Sequence, residues 1–155
     1  MGYRIGVIGP ESTGKSSLAR YLAKRYEGVL VPEYAREFVE RKGTTDVTWN
    51  ELCEIARKQI DELQANNQEP IVFFDTELIV TKVLFEYAFE RVPEWLNEAI
   101  RQYPMDVYLL TYPDIPWQPD PARSNGSEAI RKELFDRYEA EIQALDIPYY
   151  IIRHT

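Results

Sequence analysis

The sequence predicts a three-layer α/β fold, in which a five-stranded, mostly parallel sheet carries helices on both faces. Two observations predict this fold. Apolar, β-branched runs alternate with segments of helical apolar spacing along the whole chain of 155 residues. The run IVFF, which leads into Asp75, has no polar interruption, as is typical of a parallel strand buried on both faces. We therefore expect one domain over residues 1–155, with right-handed crossovers between strands.

The predicted elements follow one another in a regular order. Strands are predicted in the runs YRIGVIG, GVLVPEY, PIVFFDTE, MDVYLLTY and IPYYIIR. Helices are predicted over residues 15–26, 36–42, 48–64, 78–90, 93–103 and 128–145. Thr48 and Glu51 form a capping box at the start of the third helix, and Pro93 occupies a first-turn position. A proline-rich stretch breaks the alternation after the fourth strand, and we expect a lid loop there, over about residues 113–131.

Composition and charge exclude several classes of function. A net charge of −8 argues against a nucleic-acid-binding surface. The chain has no apolar run of the roughly 20 residues that cross a membrane, and the first strand begins too early for a signal peptide. Its single cysteine, Cys53, rules out an internal disulfide and is expected to be a packed side chain. We expect a cytoplasmic protein, and the sequence is compatible with a homo-oligomer.

A phosphate-binding loop lies between the first strand and the first helix. The residues Gly9, Pro10, Glu11, Ser12, Thr13, Gly14, Lys15 and Ser16 fit the pattern G-x-x-x-x-G-K-[ST], and Ser17 follows directly. Glycines allow backbone amides to surround phosphate oxygens, and the helix N-terminus adds further N–H groups. Lys15 can reach the β- and γ-phosphates, and the Ser16 hydroxyl can bind Mg²⁺. The loop predicts a site for ATP and Mg²⁺.

Acidic side chains follow the next two strands of the predicted sheet. Asp75 ends a hydrophobic strand, where a carboxylate serves the metal ion; its alternative role is to cap a helix starting at Thr76 or Glu77. Glu33, Tyr34 and Arg36 follow the second strand and are candidates for binding the phosphate acceptor. An acceptor hydroxyl needs a carboxylate that orients it and takes its proton. Asp75 and Glu33 are both candidates, and the sequence does not choose between them.

The remaining features favour a small-molecule kinase. The chain lacks the N-K-x-D segment of a GTPase, and a motor or AAA-type ATPase normally needs a longer chain and a partner subunit. Arg123 and Arg131, in and just beyond the proline-rich loop, are candidate lid cations for the transferring phosphoryl group, or else ordinary surface charges. Trp117 lies in the same loop, where an indole could stack on a cationic ring or anchor the loop. Trp49 and Trp95 are expected to pack, and His154 is given no role.

Four segments together resemble the ribosylnicotinamide kinase domain of the bifunctional NadR-type proteins. They are GPESTGKSSL, PEYAREF, FFDTELIVT and PWQPDPARS, and they span most of the chain. The resemblance implies a P-loop kinase fold and ATP-dependent phosphorylation of nicotinamide riboside. It implies that Trp117 stacks on the nicotinamide ring, that Asp120 binds ribose hydroxyls or offsets the pyridinium charge, and that Arg123 is a lid cation.

The chain departs from this family pattern at several points. No adenylyltransferase domain precedes Met1, so the resemblance implies a stand-alone kinase with a separate adenylyltransferase acting downstream. The usual D-T-D run reads D-T-E, with Glu77 in third place, and Pro121 replaces a glycine. The chain ends at Thr155, where such kinases continue into an adenine-contacting loop. Two alternatives stay open: a kinase for another nucleoside or small acceptor, and a non-catalytic nucleotide-binding regulator.

Overall fold

The described part of the protein is built on one five-stranded sheet. The computed structural model describes residues 2–10, 13–42, 46–113 and 128–153. The strands are β1 Tyr3–Ile8, β2 Val29–Val31, β3 Ile71–Asp75, β4 Val107–Thr111 and β5 Tyr149–Ile152. The strand order is β2-β3-β1-β4-β5, and all four pairs of neighbouring strands are parallel. The predicted α/β class with a five-stranded parallel sheet is confirmed.

Six helices connect these strands. They are α1 Lys15–Arg25, α2 Tyr34–Lys42, α3 Trp49–Ala65, α4 Leu78–Phe89, α5 Glu94–Gln102 and α6 Glu128–Leu145. Most bounds lie within two residues of the prediction. The capping box is present, since Thr48 Oγ1 accepts from the amide of Glu51 while the Glu51 carboxylate accepts from the amide of Thr48. Pro93 is the N-cap of α5 and therefore lies one residue before its first turn.

The apolar core lies on both faces of the sheet. On one face, Ile5 and Val7 of β1 pack with Ala19 and Ala23 of α1. On the other face, side chains of β3 and β4 form a larger cluster with residues of α3, α4, α5 and α6, and Phe74 belongs to this cluster. Burial of the central strands on both faces explains why their sequences are continuously apolar.

The packing roles expected of three residues are confirmed. Cys53 is buried within the larger cluster. The Trp49 ring meets Phe85 edge-on, with centroids 4.7 Å apart, and the Arg57 guanidinium lies 4.9 Å from the Trp95 ring centroid. Within the described ranges, every helix is too short or too polar to cross a lipid bilayer.

Candidate active site

Four strands deliver polar residues to the same edge of the sheet. The phosphate loop follows β1, Glu33 follows β2, Asp75 ends β3, and Thr111 ends β4. These four strands are parallel neighbours, so their carboxyl ends lie side by side. This is the edge at which open α/β sheets bind ligands. The structure therefore brings the predicted phosphate site and part of the predicted acceptor site together.

The phosphate loop packs closely against the end of β4. A Cβ atom at Gly9 would overlap Thr111 Oγ1 and lie 2.9 Å from the Thr111 carbonyl oxygen, so only glycine fits there. The Thr13 hydroxyl donates to the Pro10 carbonyl at 2.7 Å, and its oxygen lies 2.5 Å from Thr111 Oγ1. Gly14, with φ of +80°, has the left-handed conformation at the N-cap of α1. The loop is thus fixed by contacts with its neighbouring strand.

Lys15 forms an ion pair with Glu33 between the phosphate loop and the start of α2. Lys15 Nζ lies 3.0 Å from Glu33 Oε1, and the two side chains are 5% and 7% exposed. The Thr76 hydroxyl donates to the same carboxylate oxygen of Glu33 at 3.3 Å. A carboxylate predicted to serve the acceptor and a cation predicted to serve the phosphates therefore lie in direct contact.

Asp75 and Thr76 form the turn that leaves β3. Asp75 is 6% exposed and pairs in register with Val7, the second-last residue of β1. Thr76 has φ of +73°, which is rare for a β-branched residue and costs on the order of 1–3 kcal/mol. The other described non-glycine residues with positive φ all lie at the carboxyl ends of helices. Such local strain is concentrated at functional sites.

Glu77, and not Asp75, caps helix α4. Glu77 Oε1 accepts from the amide of Ile79 at 3.0 Å and from the Tyr108 hydroxyl at 3.1 Å. The alternative role that the sequence suggested for Asp75, and the helix start at Thr76 or Glu77, are therefore wrong; α4 begins at Leu78. Burial raises the pKa of Glu77 to about 7, although its hydrogen bonds oppose this shift. Burial, followed by the Glu77 carboxylate, raises the pKa of Tyr108 well above 10.0.

A recess opens beside this turn, between β2, β3 and α3. Its lining combines apolar and polar side chains, among them Tyr34, Gln59, Glu62, Phe74, Thr76 and Glu77. Thr76 connects the recess with the Lys15–Glu33 pair through its hydrogen bond to Glu33. Among the described residues, no lysine or arginine lines the recess. The described lining of the recess therefore carries carboxyl groups but no cationic side chain.

The other predicted site residues have different positions. Ser16 and Ser17 lie in the first turn of α1, where Ser16 is half-buried and Ser17 is exposed. Arg36 lies in the first turn of α2 and is half-buried. Arg131 is fully buried in α6, and its guanidinium lies 3.1 Å from a Glu128 carboxylate oxygen. The predictions for Glu11, Ser12, Trp117, Asp120 and Arg123 fall outside the described residues.

Four residues at or beside this site were not predicted as site residues from the sequence: Gln59, Glu77, Tyr108 and Thr111. One signal was available for Gln59. The buried face of α3 carries Leu52, Ala56 and Leu63, and Gln59 interrupts this apolar series at helical spacing. A polar residue in an apolar stripe indicates a specific hydrogen-bond partner.

Curated relatives match this chain over most of its length. The Trifunctional NAD biosynthesis/regulator protein NadR of Escherichia coli is 27% identical over 135 residues, which make up 84% of this chain and 33% of that protein. The protein of the same description from Salmonella typhimurium is 26% identical over 133 residues. The chain thus spans about a third of the length of these relatives: 33% and 32%. The resemblance to NadR-type proteins found in the sequence is confirmed.

Solved structures of the same fold include two of NadR. The structure of NadR in complex with NR has a TM-score of 0.75 at 25% identity, covering 97% of this chain and 43% of that one. The complex of NadR with NAD and AMP-PNP has a TM-score of 0.79 at 24% identity, covering 99% and 44% of the two chains. Thymidylate kinase from Ehrlichia chaffeensis shares the fold at a TM-score of 0.68 and 14% identity, covering 99% of this chain and 88% of that one.

A family profile also covers nearly the whole chain. The profile of the family described as AAA domain matches residues 4–155, from the second residue of β1 onwards. The matched range includes Glu33, Asp75 and the phosphate loop, and the loop is the feature expected of an ATP-binding domain. The profile match shows the family and not the activity. That this chain is not an oligomeric ATPase of the AAA type therefore stays a prediction. By fold, phosphate loop and profile alike, the chain belongs to the AAA domain family.

Proposed function

We propose that this chain is an ATP-dependent kinase that phosphorylates nicotinamide riboside to nicotinamide mononucleotide. The observation that carries the proposal is the contact between Lys15 of the phosphate loop and Glu33, which lie 3.0 Å apart. A phosphoryl transfer needs a cation on the donor side and a carboxylate on the acceptor side at one point. Thr76, which lines the recess, donates to Glu33 and so connects the recess with this pair.

On the donor side, the loop amides and the N-terminus of α1 bind the phosphates of ATP, and Lys15 binds their β- and γ-oxygens. Ser16 and Asp75 supply oxygen ligands, which are the ligands that Mg²⁺ prefers. Within the described ranges no cluster of three or more acidic, His or Cys side chains could hold a resident metal ion. This fits a Mg²⁺ that arrives with the nucleotide and takes only one or two protein ligands. Bound Mg²⁺ neutralises charge on the phosphates.

On the acceptor side, the recess holds the nucleoside with its primary ribose hydroxyl near Glu33. The hydroxyl oxygen forms a bond to the γ-phosphorus, the bond from that phosphorus to the bridging oxygen breaks, and ADP leaves. The hydroxyl proton passes to a carboxylate, and Glu33 and Asp75 are both candidates for this base. Tyr34 lines the recess, and its ring can contact the acceptor, while Arg36 lies two residues further along α2. A recess without cationic lining favours a pyridinium ring over an anionic acceptor.

The lid completes the proposed site. Arg123 and Arg131 are proposed to bring positive charge to the transferring phosphoryl group, with Trp117 stacking on the nicotinamide ring and Asp120 binding the riboside. A closed lid excludes water, and this exclusion separates a kinase from an ATPase. In the structure, Arg131 Nη2 pairs with Glu128 at the start of α6.

The comparisons support the proposed substrates. NadR, described as an NAD biosynthesis protein, has been solved with NR and with NAD and AMP-PNP, an ATP analogue, and this chain covers 43% and 44% of those structures. We further infer that the enzyme is cytoplasmic, that an adenylyltransferase acts downstream on its product, and that the chain forms a homo-oligomer.

The proposal is tested by measuring ADP release with ATP and Mg²⁺. Nicotinamide riboside is compared with a panel of nucleosides and with a reaction that lacks acceptor, and Lys15→Ala serves as the inactive control. We expect turnover that depends on nicotinamide riboside and is lost in the variant. Turnover of another nucleoside would reassign the acceptor, and nucleotide binding without acceptor-dependent turnover would favour a regulator.

A further inference from the structure

Gln59 is a buried polar residue that the packing of α3 does not require. Leu52, Ala56 and Leu63 occupy the same face of the helix and are buried in the larger apolar cluster. Gln59 is 7% exposed. A buried primary amide is unfavourable unless its oxygen and its N–H groups find partners. An apolar residue would continue the stripe without this cost, so the amide at this position calls for an explanation.

Thr81 fixes the orientation of the Gln59 amide. The Thr81 hydroxyl on α4 donates to Gln59 Oε1 at 2.6 Å, and Thr81 is 2% exposed. In the described part of the chain, this contact at the oxygen is the one hydrogen bond that the Gln59 side chain makes. Since the oxygen is directed to α4, the NH₂ group lies on the other branch of the amide. Gln59 is also one of the residues that line the recess.

We propose that Gln59 selects the acceptor by donating a hydrogen bond from its NH₂ group to a carbonyl oxygen on the acceptor's planar ring, with Thr81 as its positioning residue. This inference rests on the proposed use of the recess for the acceptor. A carboxamide-bearing ring supplies such an oxygen, whereas a ring without a carbonyl would cover the N–H donors and leave them without a partner. Sites built around a hydrogen bond reject analogues that lack the matching group more strongly than apolar pockets do.

The position of Gln59 in the recess supports its role in selecting the acceptor. Glu77 and Thr76 line the same recess as Gln59, and Thr76 donates to Glu33, which contacts Lys15. In the proposed pose, a ring bound beside Gln59 has its attached ribose on the side of the recess at which Thr76 leads to Glu33 and Lys15. The competing explanation is structural: the Thr81–Gln59 hydrogen bond would only join α4 to α3. The two explanations differ in their effect on substrate preference.

The experiment compares two acceptors in the intact chain with saturating ATP and Mg²⁺. One is nicotinamide riboside, and the other is the pyridinium riboside that lacks the carboxamide. The variants are Gln59→Leu, Thr81→Val and, as the matched control, Gln64→Leu, which makes the same substitution at an exposed position of α3. Thermal unfolding of each variant establishes that it folds.

We expect the kcat/KM of the wild type to be roughly tenfold higher for nicotinamide riboside than for the riboside that lacks the carboxamide. This factor corresponds to the free energy of one well-made hydrogen bond. Gln59→Leu should abolish this preference through KM for nicotinamide riboside, with kcat within about twofold. Thr81→Val should reduce the preference partly, and Gln64→Leu should retain it. A preference that survives Gln59→Leu, or an equal loss for both acceptors, would overturn the inference.

Failure of the proposed function gives a different result. If the wild type shows no turnover of either riboside, equilibrium binding of the same pair is measured by calorimetry. A carboxamide preference in binding that depends on Gln59 would support the inference and leave the kinase activity refuted. Absence of binding, or equal binding of both ribosides, would overturn the inference together with the proposed acceptor.

Discussion

Lys15 Nζ contacts Glu33 Oε1 at 3.0 Å in a nearly buried ion pair between the phosphate loop and the residue that precedes α2. Each charge offsets the cost of burying the other, so removing one partner leaves the second uncompensated. A triphosphate would compete with Glu33 for the ammonium group. We therefore expect nucleotide binding to release Glu33 from Lys15.

Glu33→Gln tests this competition. The variant keeps the shape of the side chain but removes the anion that competes with ATP for Lys15. We expect tighter ATP binding, by a few-fold, together with a kcat lower by about 10²-fold, since a carboxylate acting on the acceptor hydroxyl contributes about that much. Calorimetric titration with an ATP analogue and steady-state kinetics measure the two effects. Weaker ATP binding in Glu33→Gln would show that Glu33 organises the phosphate loop and does not compete with the nucleotide.

Glu77 makes stability depend on pH. Its folded pKa of about 7 exceeds the ordinary value of 4.5, so the folded protein binds more protons at this site than the unfolded chain between these pH values. The free energy of unfolding should therefore fall as pH rises through this window, by about 3 kcal/mol from this group, and level off above it. Urea unfolding of the wild type and Glu77→Gln at about pH 5 and pH 8 measures the difference.

Tyr108→Phe supplies the control for the effect of Glu77. The Tyr108 hydroxyl donates to Glu77 Oε1 and lowers the pKa of the carboxyl, so its removal should move the window to higher pH. An identical pH dependence of stability in the wild type and Glu77→Gln would assign the effect to other groups.

Thr76 combines an unfavourable backbone conformation with a hydrogen bond to Glu33, and two substitutions separate the two properties. Thr76→Ala and Thr76→Gly both remove the hydroxyl, but only glycine adopts φ near +73° without a steric cost. We expect Thr76→Gly to be more stable than Thr76→Ala by about 1 kcal/mol, or a few degrees in Tm. Both variants should lose activity by a similar factor. Equal stability of the two variants would show that the turn relaxes around alanine.

The fold and the outline of the site followed from local patterns. Strand and helix periods fixed the elements, and since parallel strands place their carboxyl ends together, Lys15, Glu33 and Asp75 could be expected at one edge. The contacts that complete the site join residues far apart in sequence. Tyr108 reaches Glu77 across 31 positions, and Thr81 reaches Gln59 across 22. Such pairs depend on how helices dock on the sheet, which periodicity does not specify.

Gly9 provides a test of how closely the phosphate loop must pack on β4. A Cβ atom at this position would overlap Thr111 Oγ1 and approach the Thr111 carbonyl oxygen to 2.9 Å. Gly9→Ala should therefore displace the loop, weaken ATP binding by at least tenfold and destabilise the fold by about 1–3 kcal/mol, the usual cost of overpacking.

Thr111→Ala removes the hydroxyl but leaves the carbonyl, so the double variant should recover part of the loss. ATP binding in Gly9→Ala, Thr111→Ala and the double variant, measured by calorimetry, gives the coupling between the two positions. Strictly additive effects would place the cost of Gly9→Ala in the backbone conformation of the loop and not in its contact with Thr111.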